Sequence, residues 1–131
     1  MFKAQVIRSH SAQARVYDIG GGAAEVVYSG PLSQAVFTNL VAGVLLATKE
    51  VGALVVRVEH TVLLMRELVV DTGAYGPNSP PGAVVASDEH IEYWTAYGKA
   101  VAAAGVMRAV FLARQIDLAR EWARRHAVVA L

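Results

Sequence analysis

Ala83-Val-Val-Ala86, Ser87-Asp88-Glu89 and Arg108-Ala-Val-Phe-Leu112, followed by a closing stretch around Trp122, decide the fold of this chain. The two apolar runs are too short for helices, and each precedes a segment of helical length, which gives two consecutive strand-then-helix units. Strands that alternate with helices in this way pair in parallel, so the last third reads as one side of an α/β sheet. Ser87 offers a capping hydroxyl, and Asp88 and Glu89 place negative charge where the helix dipole favours it. Ile91, Trp94, Tyr97 or Gly98, and Val101 then share one helical face, with Gly105 positioned to end the helix. In the last helix Leu118, Trp122 and the alanines fall on one side. Arg120, Arg124 and Arg125 project elsewhere, and Glu121 is spaced to pair with Arg125.

Working back from that region, Ala53-Leu-Val-Val-Arg-Val58 is β-rich and suits the middle of a sheet. The apolar residues of the next stretch, 59–70, fit either a helix or an extended continuation of the strand, and the reading leans to helix. Residues 71–82 hold three glycines and three prolines, which mark a long surface loop of the kind that binds a ligand or crosses to a partner subunit. Towards the N-terminus, Phe2, Ala4 and Val6 alternate with polar residues as in a strand with one buried face. Ala14-Arg-Val-Tyr-Asp-Ile19 and Ala24-Glu-Val-Val-Tyr28 flank Gly20-Gly21-Gly22, a tight antiparallel reversal. A phosphate cradle would need a helix start directly after those glycines, and a β-branched strand follows instead. Gly30 and Pro31 break the strand, and Ser33 can accept a hydrogen bond from the first turn of a helix running to about Glu50. Its buried stripe is Phe37, Leu40, Val41, Val44 and Leu45, with Gly52 as a left-handed stop.

A chain of 131 residues holds one ordinary core, and 55% hydrophobic residues with a mean hydropathy of +0.39 leave apolar surface over for a subunit interface. A homodimer is therefore expected. Its longest apolar run, Val41-Ala-Gly-Val-Leu-Leu-Ala47, is far short of the ~20 residues of a membrane span. The start of the chain lacks the apolar core of a signal peptide, and zero cysteines exclude disulfides and thiolate chemistry, so a cytoplasmic location is expected. A net charge of +1 gives nucleic acid no strong reason to bind. Locally, residues 51–100 carry three basic against six acidic side chains, and residues 101–131 five against two. These are read as solvated helix faces.

No motif dictates a reaction. His10, His60, His90 and His126 lack the spacings that put two imidazoles on one metal, and no cofactor is implied. Ser87, Asp88 and His90 sit in one turn and cannot converge as a triad. Tyr93 is expected on an exposed face, and Trp94 in the core. The best titratable candidate is His60 beside Glu59, at the end of the central strand, where α/β sheets bind their ligands.

The stretch Val27-Tyr-Ser-Gly-Pro-Leu-Ser33 and the ending Arg108-Ala-Val-Phe to Asp117-Leu-Ala-Arg-Glu-Trp122 resemble the STAS domain, the family of sulfate transporters and anti-sigma factor antagonists, and within it the free-standing bacterial, sporulation-antagonist-like type. The resemblance covers most of the chain from about residue 14 and implies a mixed sheet with packed helices that binds partners, nucleotides or hydrophobic ligands. In antagonist members a serine at the start of the second helix is phosphorylated. The corresponding neighbourhood here, Val58-Glu59-His60-Thr61, lacks the aspartate-serine-serine-glycine pattern, and Thr61 is its only hydroxyl.

The expectation is thus a single α/β domain over residues 1–131, a mixed STAS-like sheet with an N-terminal antiparallel hairpin. It acts as a cytoplasmic, non-enzymatic binding or regulatory module without the phosphoserine switch. Its protein partner or small hydrophobic or nucleotide ligand docks at Glu59, His60 and Thr61, with Tyr75 and its loop above. The rival readings are a small enzyme using His60 and Glu59 as an acid-base pair, and a purely structural homo-oligomer.

Overall fold

The computed structural model describes residues 4–65 and 79–127. Their sheet has six strands in sequence order: β1 (Gln5–Ser9), β2 (Ala12–Gly20), β3 (Ala23–Leu32), β4 (Ala53–Leu63), β5 (Gly82–Ala86) and β6 (Arg108–Leu112). β2 runs antiparallel to both β1 and β3, and β3 to β6 run parallel. Helices α1 (Gln34–Ala47), α2 (Ile91–Ala103) and α3 (Ile116–His126) pack on this sheet, which is the mixed α/β fold expected. No described helix is long and apolar enough to cross a membrane.

The two faces are built differently. On the first, α1 and α2 cover Ala14, Val16, Val26, Tyr28, Leu54, Val56 and Val84. Phe37 of α1 lies 5.5 Å from Trp94 and 5.7 Å from Tyr97 of α2, both edge-on, and this aromatic cluster seals the layer. Edge-to-face rings add about 0.5–1.5 kcal/mol per pair beyond the area they bury. On the second face α3 lies chiefly on β4, β5 and β6, with Arg120 reaching Glu25 of β3 and Arg124 the Ile19 carbonyl of β2. It approaches closely because Ala119 and Ala123, both fully buried, meet Ala53, Val55, Ala83 and Val85.

Local chemistry accounts for most of the elements. Gly20, Gly21 and Gly22 all have positive φ and make the β2–β3 reversal. Ser33 caps α1, its hydroxyl accepting from the Val36 amide at 3.3 Å, and the buried stripe is Val36, Phe37, Leu40, Val41 and Val44. In α2 the core residues are Trp94, Tyr97, Gly98 and Val101, and Gly105 follows the helix with a φ of +96°.

Several expectations are corrected. Gly30 and Pro31 do not end β3, which continues to Leu32 beside the long β4. Gly30 has a φ of +93°, and a Cβ there would meet the Ser11 carbonyl oxygen at 2.7 Å. The helix α1 stops at Ala47, not Glu50, with the Thr48 amide and hydroxyl both donating to the Val44 carbonyl, at 3.0 and 2.7 Å, and Gly52 has no left-handed backbone. In β1 the inward side chain is Ile7, while Val6 is exposed, so the burial alternation is offset by one residue. Ser87 makes no side-chain cap, and a 3-10 turn, Asp88–His90, precedes α2 instead. Leu118 is exposed: the narrow seam beneath α3 accepts alanine, not leucine. Tyr93 is half-buried against Trp94, and its hydroxyl lies 3.6 Å from the Met65 sulfur.

The helix expected after β4 is replaced, as far as Leu63, by strand. A register shift opposite Val27 and Ser29 lets β4 follow β3 to its end, and the Leu64 amide donates to the Leu32 carbonyl at 2.9 Å. Residues 66–70 of that stretch, and residues 71–78 of the expected loop, lie outside the described residues.

Candidate functional site

Because α3 covers only part of the second face, its other half, on β2, β3 and the end of β4, is left uncovered among the described residues. The register lays out this half in rows. Gln13, Ser29 and His60 form one row, Arg15, Val27 and Arg57 the next, and Tyr17, Glu25 and Val55 the third. Val6 and Arg8 of β1 extend the rows at the edge, opposite Arg15 and Gln13. The larger side chains stand around Val27, and an open concavity of about 500 Å³ is lined by Gln13, Arg15, Tyr17, Val27, Ser29, Arg57 and His60.

The floor of this basin is braced by a buried charge. Glu25 is 0% exposed, in a strand where its neighbours are apolar. An uncompensated carboxylate there would cost several kcal/mol, and its oxygens are therefore fully engaged. Arg120 of α3 donates from Nε to Oε1 at 2.8 Å and from Nη2 to Oε2 at 3.1 Å. Arg57 reaches Oε2 at 3.4 Å, and the Tyr17 hydroxyl donates to the same oxygen. Burial pushes the Glu25 carboxyl up, but Arg120, Tyr17 and Arg57 outweigh it, so its pKa lies below the ordinary glutamate value. Burial and the neighbouring Glu25 carboxylate both raise the Tyr17 phenol. Arg57 and Arg120 are raised above the ordinary arginine value chiefly by their bonds to Glu59 and Glu25 respectively, against the desolvation that lowers them.

Of the residues expected at the site, His60 lines the basin rim and is 56% exposed. Glu59 sits behind it with its side chain only 8% exposed. Its Oε1 accepts from Arg57 Nε at 2.5 Å and lies 3.6 Å from His60 Nε2, while its buried Oε2 has no hydrogen-bond partner among the described residues. Thr61 is not at a helix start; its hydroxyl donates to the Val58 carbonyl at 2.7 Å, where the register of β4 against β3 shifts. Tyr75 lies outside the described residues. No group of three or more metal-ligating side chains is assembled among the described residues.

The reading of the sequence missed Arg15, Tyr17, Glu25, Arg57 and Arg120. Arg57 carried a usable signal, since a charge inside an otherwise apolar central strand must find a partner. Arg120 and Glu25 are 95 positions apart, and no local pattern joins them.

As to chemistry, the Glu59 oxygen nearest His60 is already bound by Arg57, which makes the pair a poor acid-base relay. What the arrangement offers is a rigid, polar, cation-bearing concavity. No family model matches the chain, and no curated protein and no solved structure matches it.

Proposed function

We propose that the protein is a non-enzymatic binding or regulatory module, and that its docking surface is the bare half of the second sheet face, centred on Val27 and rimmed by His60. The single observation that carries this reading is the half-covered face. Antiparallel strands commonly leave one face to solvent, and among the described residues this half is left open; what sets it apart is that a fully buried carboxylate, Glu25, fixes Tyr17 and Arg57 at the open surface. Rigid polar groups around an open concavity are what a recognition site needs, because they lose little entropy on binding. The STAS resemblance points in the same direction, towards partner or ligand binding. The Thr61 hydroxyl, engaged with the Val58 carbonyl on a strand, fits a role without a phosphoswitch.

Thermal-shift profiling against a metabolite library tests the reading, with each stabilising compound recovered and weighed by mass spectrometry. The expected outcome is stabilisation with the compound unchanged, in the wild type and, with a smaller shift, in His60→Ala. A compound converted by the wild type and left intact by His60→Ala would establish the enzyme instead.

Self-association is a second reading favoured by a specific observation: Val62 and Leu64, at the end of β4, are exposed, as is Val6. Sedimentation at micromolar concentration is expected to show a dimer that Val62→Asp with Leu64→Asp dissociates. A wild-type monomer would remove this reading.

A further inference from the structure

Arg15, Val27 and Arg57 lie in one row across three adjacent strands. Strands about 4.8 Å apart put the two arginine Cα atoms roughly 10 Å from each other, with the shorter valine between them. Both arginines line the same concavity, so their long side chains flank the space above Val27. Arg57 is held there by Glu59 on one side and Glu25 on the other. Glu25 and Glu59 are matched by Arg57 and Arg120, and Arg120 also lies 3.8 Å from the exposed Asp117. Arg15 is different: it is exposed and makes no ion pair among the described residues. The named charges sum to zero, so it is the unpaired Arg15 standing across Val27 from Arg57, and not a net positive charge, that favours an incoming anion.

The flanking rows add neutral hydrogen-bonding groups. Gln13, Ser29 and His60 stand on one side of the arginine row and Tyr17 on the other. The concavity, about 500 Å³, is of the size that small-molecule sites have. Guanidinium groups bind carboxylate and phosphate oxygens through paired, charge-assisted hydrogen bonds, which a neutral ligand cannot reproduce.

The geometry points to an organic-anion site in which Arg15 and Arg57 clasp a carboxylate or phosphate group above Val27, while Gln13, Ser29 and His60 hydrogen-bond the rest of the ligand. This inference rests on the basin being the docking surface and adds the charge class of what docks. Other arginines are less suited: Arg124 donates to the Ile19 carbonyl, and Arg125 pairs with Glu121.

Amide NMR titration of the full chain with two matched pairs of probes tests it: succinate against succinamide, and adenosine monophosphate against adenosine. At least one anion is expected to shift amides of β2, β3 and β4 around Val27 saturably and to bind about tenfold more tightly than its neutral counterpart, about 1.4 kcal/mol. The pair that shows the preference assigns carboxylate or phosphate as the bound group. Arg15→Gln is expected to abolish the preference, Arg15→Lys to restore part of it, and Arg8→Gln to leave it in place. Charged and neutral probes binding equally at the basin would overturn the anion site and leave the docking surface standing. Shifts confined to α3 around Arg124 and Arg125 would overturn both. Absence of saturable shifts from all four probes, or a preference kept in Arg15→Gln, would overturn the anion site.

Discussion

The two faces of one sheet have been given opposite construction. The first is closed by two helices over an aromatic and aliphatic layer in which Phe37, Trp94 and Tyr97 meet edge-on. The second is covered by a single helix whose fully buried contact residues are alanines, with Ile116 and Trp122 packed beside them, and which Arg120 ties to the sheet through Glu25. Stability is thus concentrated on the first face. The second gives up apolar burial and places charged groups in fixed positions beside an open surface. A buried ion network is weak as a source of stability but strong as a means of fixing geometry, because any departure strands a charge.

That contrast predicts how the faces respond to substitution. Trp94→Ala removes the centre of the first layer and is expected to cost about 3–5 kcal/mol in urea unfolding. A loss below about 1.5 kcal/mol would mean that the closed face is not the main store of stability.

Glu25→Ala comes next, at about 3 kcal/mol, because it leaves Arg120 and Arg57 facing a void. Its pH dependence has a fixed sign. The folded-state pKa of Glu25 is depressed, so its contribution is complete above the ordinary value of 4.5 and is lost as pH falls through the lower folded value. The stability gap between wild type and Glu25→Ala should therefore narrow below about pH 4.5. A gap that widens on acidification would show that the carboxyl is held protonated.

A smaller effect is expected of Ala123→Leu, which forces a branched side chain between α3 and Val55 or Val85. Overpacking of this kind costs about 1–3 kcal/mol, and α3 is expected to lift from the sheet. Amide exchange is then expected to rise in α3 and stay unchanged in α1 and α2. Equal exchange in all three helices would show that the faces are not independent.

How much of this was legible in the sequence follows the same division. The closed face was legible because its signals are local: Val36 to Val44 and Trp94 to Val101 repeat at helical spacing, and glycines stand where the chain reverses. The extended end of β4 was not, since residues 59–63 have no period that separates strand from helix and their conformation is set by pairing with β3. The candidate site was legible only in part. His60 and Glu59 stood out as a titratable pair at a strand end, whereas the rows around Val27 depend on the register of three strands. The brace beneath them depends on a contact between residues 95 positions apart.

The central claim, that the bare half-face is where the protein binds, is tested most directly by Val27→Trp. The indole would fill the floor of the basin from a half-buried position whose neighbours in the row are long side chains, at an expected cost in stability of about 1–3 kcal/mol. Thermal shifts are measured for wild type and variant with each compound that the library profile yields. The account predicts a cooperatively folded Val27→Trp with a lower Tm of its own, which the compounds that stabilise the wild type do not raise. Equal stabilisation of the two proteins, or no stabilisation of the wild type by any compound, would contradict it.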